Sequence, residues 1–160
     1  MIRLLWLSLV VCVADQATKL MALANLKDGR VSIAPFLDFA LAYNTGAAFS
    51  FLSDAGGWQN LFFIFVATVV SIVIVVMLYR LRSDEKQVAL ALALVLGGAI
   101  GNLIDRIRYE YVVDFIDVYY RGWHWPTFNV ADSAITIGAV LLALDAFGIR
   151  YPRSSKPGST

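Results

Sequence analysis

Asp114 and Asp132 are the residues whose type and placement best suit chemistry, and they stand 18 positions apart in a chain dominated by apolar residues. Two carboxyl groups brought close together cannot both ionise cheaply, so one keeps a proton while the other serves as a base. That arrangement can activate water against an amide carbonyl. No helix face joins residues so far apart, so only a chain reversal over the aromatic segment between them could make them meet. Plainer readings stand beside this one. Asp132 could cap a helix as a favoured first-turn residue, Asp114 could be a solvated loop residue, and Asp117 is an equally eligible partner by composition.

Other polar residues need explanation because a charge at the centre of a membrane helix costs about 2.5–3.5 kcal/mol on insertion scales. Asp15 and Lys19 are four apart, on one helical face, and read as a structural couple that partly neutralises itself. Asp105 and Arg106 close an apolar stretch containing Gly97, Gly98, Gly101 and Asn102. The glycines permit close helix approach, Asn102 can hydrogen-bond across it, and Arg106 can hold a carboxylate in a planar fork. The single histidine, His124, reads as an interfacial loop residue rather than a general base. Cys12, the only cysteine, reads as a small buried hydrophobe and excludes both an intramolecular disulfide and a two-cysteine metal site.

The elements that position these residues follow from composition. Of 160 residues, 59% are hydrophobic and 16% charged, with mean hydropathy +0.70, too little charge to cover a soluble domain. Four apolar stretches predict membrane spans over 4–23, 60–79, 88–106 and 129–149 within one domain covering 1–160. About 20 residues rising about 1.5 Å each cross about 30 Å of hydrocarbon. Arg3 and the Ala22-Leu23-Ala24 triplet give the first stretch some likeness to a cleavable signal peptide, but Asp15 and Lys19 inside it favour a retained helix. A net charge of +1 removes the electrostatic case for nucleic acid.

Two longer segments, 25–57 and 108–127, join the spans on one side. Val31, Ile33, Leu37, Phe39, Leu41 and Tyr43 recur with period two, predicting strands with one apolar face that break near Pro35 and end in a turn at Asn44-Thr45-Gly46. Alternation at Tyr109, Tyr111, Val113 and Phe115 leaves a strand and a surface helix both open. Arg3, Arg80, Arg82, Lys86, Arg150, Arg153 and Lys156 fall on the other side, which by the positive-inside rule places both termini in the cytoplasm. Trp6, Trp58, Trp123 and Trp125 lie near span ends as interface anchors. Residues 150–160 read as a mobile cytoplasmic tail.

In order and spacing these residues resemble the lipoprotein signal peptidases, also called signal peptidase II, which are bacterial membrane aspartic peptidases. The resemblance covers nearly the whole chain. It is carried by Asp15 to Lys19, Tyr43-Asn44-Thr45-Gly46-Ala47-Ala48-Phe49, Gly98 through Arg106, Val113-Asp114-Phe115 and Phe128-Asn129-Val130-Ala131-Asp132-Ser133. It implies an all-α polytopic membrane protein of four transmembrane helices, with a small extracytoplasmic β-rich platform and a short extracytoplasmic loop or helix. By the same resemblance Asp114 and Asp132 are catalytic, while Asn44, Gly46, Asn102, Arg106 and Asn129 bind substrate or support the dyad. Asp15, Lys19 and Asp105 are structural. The implied partners are diacylglyceryl-prolipoproteins, cut on the N-terminal side of the lipidated cysteine, together with membrane lipids and the cyclic peptide antibiotic globomycin as inhibitor. No metal or organic cofactor is expected, and the implied place is the bacterial inner membrane with the active site at its outer face. Two rival readings remain on the residues alone: a transporter or channel subunit, which needs acidic groups at several depths, and a lipid-binding assembly protein without catalysis.

Overall fold

The computed structural model describes residues 1–46 and 58–149. After a 3-10 turn at Ile2–Leu4 the order is α1 (Leu5–Asn25), β1 (Val31–Ala34), β2 (Leu37–Asn44), α2 (Trp58–Arg80), α3 (Lys86–Tyr109), β3 (Val112–Tyr120), β4 (Trp123–His124) and α4 (Val130–Ala146). Residues 47–57 of the first linking segment, with the Ala47-Ala48-Phe49 part of one motif, and the tail 150–160 lie outside the described residues.

α3 is the centre of the bundle and touches α1, α2 and α4. Its sequence explains why. Ala89, Ala91, Ala93, Gly97, Gly98 and Gly101 are all buried, and such small residues let neighbouring backbones approach closely where lipid gives helices no hydrophobic reason to associate. At Gly98 a Cβ would run into the Ala131 carbonyl oxygen, and at Gly101 it would come within 2.5 Å of the Asp15 carboxylate. Gly98 thus sets the distance between α3 and the start of α4. α2 is apolar all round and leaves Leu61, Phe62, Phe65, Val69, Ile72 and Val73 exposed, the surface of a helix solvated by lipid.

α1 with its leading turn, α2 and α3 are each long and apolar enough to cross a membrane. α4 is shorter, at 17 residues, and rises about 26 Å, at the lower bound for a span. It stops at Ala146, before the expected 149, where Gly148 takes φ +77°. α3 runs on to Tyr109, past the expected 106, and ends where Glu110 turns left-handed at φ 67°.

The ends of α1 and α3 and the start of α4 meet a four-stranded antiparallel sheet in the order β1-β2-β3-β4. The open choice for residues 108–127 falls to a strand hairpin, and no helix stands outside the bundle among the described residues of either linking segment. Residues 112–124 form a β-hairpin, while 47–57, the other stretch that could hold the expected short loop or helix, lies outside the described residues. A surface helix fails here because Val112, Val113, Asp114 and Phe115 are all buried, which an element covered on both faces requires. The single apolar face expected of β1 and β2 is divided. Phe39 and Leu41 pack on Ala22, Leu26 and Phe115, whereas Val31 and Ile33 are exposed and Asp38, on the opposite face, is buried.

The Gly98 contact yields a test. Gly98→Leu should lower stability in detergent by about 1–3 kcal/mol through overpacking, read as a fall in the thermal midpoint, and it should displace the start of α4. A midpoint equal to that of the native chain would contradict the close approach.

Candidate active site

β3 and α4 bring Asp114 and Asp132 to the same corner of the molecule, and the chain reverses between them as their separation demanded. Asp114 is buried within β3, paired across the ladder with Ala42 of β2. Asn44, two residues further along β2, is its diagonal neighbour and donates from Nδ2 to Asp114 Oδ2 at 3.0 Å. Asp132 lies in the first turn of α4, where the helix dipole favours a negative charge.

Asn129 joins the two carboxylates. It is the N-cap of α4, and its Oδ1 accepts the Asp132 backbone N–H at 2.9 Å. With the oxygen committed to the cap, Nδ2 points the other way and donates to Asp114 Oδ1 at 2.7 Å. The capping role suggested for Asp132 therefore belongs to Asn129. From α3, Asn102 Nδ2 donates to Asp132 Oδ1 at 2.8 Å. Asn44 is oriented in turn by the Gly46 backbone N–H, which donates to its Oδ1 at 2.8 Å. Gly46 has φ +92°, and a Cβ there would collide with the Phe63 ring, so both backbone and space call for glycine.

Burial pushes the Asp114 carboxyl up to about 6, with the Asp132 charge adding to the rise and hydrogen bonds from Asn44 and Asn129 opposing it. A carboxyl group that holds its proton up to about pH 6, beside a second carboxyl, is the pattern of an acid and base pair.

Beneath the pair lies a fully enclosed polar cluster. Lys19 Nζ meets Asp15 Oδ2 at 2.8 Å, Asp105 Oδ2 at 2.9 Å and Asn102 Oδ1 at 2.8 Å. Asp15 Oδ1 accepts from the Ala131 backbone N–H at 2.9 Å, and Asp105 Oδ2 accepts from that of Val113 at 3.0 Å. Ala131 and Val113 immediately precede Asp132 and Asp114. Each carboxylate flanking Lys19 thus holds the backbone beside one member of the pair. Gln16 completes the cluster, donating to Asp105 Oδ1 at 2.8 Å.

Three expectations change. Asp15 and Lys19 pair as expected, but the unit is a triad because Asp105 closes on the same ammonium group. Arg106 does not fork a carboxylate among the described residues: its guanidinium lies 4.9 Å from the Phe63 ring centroid, and Nη1 reaches Asn102 O at 3.5 Å. An arginine at the end of a helix beside an aromatic face finds cation–π contact without a second desolvated carboxylate. Asp117 is not the partner of Asp132, because three positions along a strand turn a side chain to the opposite face from Asp114. There it meets His124 Nδ1 at 2.8 Å, and Asp38 beside it meets Arg30 at 3.3 Å.

Gln16 and Phe63 escaped the sequence reading. Gln16 gave a signal, a second polar side chain beside Asp15 in an apolar run, whereas Phe63 looks like any lipid-facing residue of α2. Among the described residues no group of three or more His, Cys, Asp or Glu side chains is arranged to hold a metal ion.

The model of the family signal peptidase (SPase) II, peptidase family A8, matches residues 7–148. A lipoprotein signal peptidase of Pseudomonas putida is 58% identical over 146 residues, covering 89% of this chain and 85% of the relative. One from Acinetobacter baumannii is 52% identical over 154 residues, covering 94% and 88%. Among solved structures, a bacterial membrane enzyme determined by the in meso method at 1.9 Å superposes with a TM-score of 0.78 at 30% identity, covering 90% of this chain and 92% of that one. A second, determined by the same method at 2.3 Å, gives 0.77 at 29% identity, covering 96% and 94%. With its four helices, sheet and paired carboxyl groups, this chain belongs to the signal peptidase II family, multi-pass inner-membrane aspartic peptidases that act on lipoprotein precursors.

Proposed function

We propose that Asp114 and Asp132 are the catalytic pair, and that they cleave diacylglyceryl-modified prolipoproteins on the N-terminal side of the lipidated cysteine. The observation that carries this reading is Asn129, whose one side chain caps the helix bearing Asp132 and holds the buried carboxyl of Asp114. Asp132 takes a proton from water, and the resulting hydroxide attacks the scissile carbonyl. Asp114, the proton-bearing partner, donates to the developing oxyanion. Collapse of the tetrahedral intermediate breaks the C–N bond as the proton on Asp132 passes to the leaving nitrogen and the proton on the former oxyanion returns to Asp114. The products are a signal peptide with a new carboxylate and a lipoprotein with a free α-amino group.

Asn44 and Asn129 fix Asp114, Asn102 fixes Asp132, and Gly46 shapes the turn beside them. The substrate's signal peptide is an apolar helix and its acyl chains stay in lipid, so a site where helices meet a sheet suits it without extracting either part. Globomycin, a cyclic peptide, would occupy the same corner in competition with substrate. The basic ends of α2 and α3, with Arg3, face away from the sheet, which supports cytoplasmic termini and an active site at the outer face.

Asp114→Asn and Asp132→Asn should each reduce cleavage of diacylglyceryl-prolipoprotein by at least about 100-fold while leaving the thermal midpoint near native. Either variant cutting at the native rate would falsify the pair, and rapid cutting of non-lipidated precursor would contradict the specificity.

The sign of the pH dependence follows from Asp114. The free enzyme holds the donor proton below about 6 and loses it above, so kcat/KM should decline as pH rises past that value, approaching about tenfold per unit. A kcat/KM that climbs across this range would oppose the assignment of Asp114 as donor.

Orientation can be read from single cysteines placed at Ser83 and Gly122 in a Cys12→Ala background. A membrane-impermeant thiol reagent applied to intact spheroplasts should label position 122 and spare 83, and the reverse pattern would invert the topology.

A further inference from the structure

We propose that Lys19 is a positioning residue for the reaction: by occupying the Asn102 carbonyl oxygen it turns the Asn102 amide so that N–H faces Asp132, which favours the ionised, base-ready form of that carboxylate. The proposal rests on the reading of Asp114 and Asp132 as the catalytic pair, and it gives Lys19 and Asn102 a part in the chemistry beyond holding helices together.

The argument begins with the lysine's hydrogen-bonding inventory. An ammonium group has three N–H donors and no acceptor, and all three are used, on Asp15, Asp105 and Asn102. The Asn102 atom facing Lys19 must therefore be its oxygen. The same oxygen also receives Asn129 Nδ2 at 3.3 Å, a second donor with the same requirement. Asn102 Nδ2 is then left to face Asp132 Oδ1 at 2.8 Å, and a hydrogen bond donated to a carboxylate favours its charged form. A flipped Asn102 would set oxygen against oxygen and disfavour the ionised base. Asn129 and Asn44 are oriented in the same manner by backbone N–H groups of Asp132 and Gly46. In the Asn102 link alone, a charged side chain from another helix sets the polarity.

The charged groups beside the pair are Asp15 and Lys19 on α1 and Asp105 and Arg106 on α3. Removing Lys19 alone would leave Asp15 and Asp105 repelling each other, and the fold could fail for that reason. The informative variant is Lys19→Met with Asp15→Asn. It keeps the formal charge of the triad, and the new amide oxygen can still accept from Ala131.

In lipid-containing detergent, the double variant should lose at least about tenfold in kcat at nearly unchanged KM, with the acid limb of its pH profile displaced to higher pH. Lys19→Arg, which restores donors, should regain the native limb. A folded double variant with native kcat and pH profile would overturn the proposal, and so would a raised KM at native kcat, the mark of a merely structural or binding role. If the double variant does not fold, Asn102→Ser decides, since Lys19 acts through that amide: it should lose kcat at nearly unchanged KM with the same displaced limb, and native kcat in a folded Asn102→Ser overturns the proposal. Full activity in either single aspartate variant would instead remove the catalytic pair itself, a distinct failure.

Discussion

An ammonium group 2% exposed, enclosed by two carboxylates themselves almost wholly buried, is the constraint on which the rest of this molecule hangs. In hydrocarbon or a tightly packed helix interface, such a charge persists only when every donor finds an acceptor and the surplus charge is compensated. Lys19 satisfies the first condition with Asp15, Asp105 and Asn102, and the flanking carboxylates satisfy theirs on backbone N–H groups and Gln16. Among the described residues no buried side-chain nitrogen or oxygen is left without a partner. A network closed in this way is rigid because any displacement strands a polar group in a low dielectric.

Rigidity is useful here because of where the network ends. Ala131 and Val113 are hydrogen-bonded to the two carboxylates of the triad, and their successors in sequence are Asp132 and Asp114. The helix bundle thereby fixes two backbone segments that belong to different elements, one a helix start and the other a strand. The small residues of α3 make this possible. Gly101 leaves room for the Asp15 carboxylate and Gly98 for the Ala131 carbonyl, so the same surface that brings the helices close also brings the polar groups within reach.

The pair lies where helices give way to sheet, Asp114 buried and Asp132 partly open. Such a difference in environment sets two chemically identical side chains apart, as it does wherever paired carboxyls act on amides or glycosides. The second polar cluster, Asp38 and Asp117 with Arg30, His124 and Tyr119, occupies the other face of the sheet and takes no part in this arrangement.

Hydropathy and charge determined the membrane environment and the four helices, because lipid imposes length and composition on any span. Period-two alternation determined β1 and β2. The turn at Asn44-Thr45-Gly46 and the Asp15–Lys19 pair were also legible, since both are local and depend only on residue types a few positions apart. Tertiary structure alone decided the rest. Residues 112–120 could have been helix or strand until pairing with β2 and burial on both faces selected the strand. Asp105 joins Lys19, Arg106 turns to Phe63, and Asp117 leaves the pair to Asp114 and Asp132, each through contacts between segments remote in sequence. Spacing along the chain fixes which residues share a helix or strand face, but the meeting of two faces is set by packing across the whole bundle, and that packing is where the carboxyl pair is made.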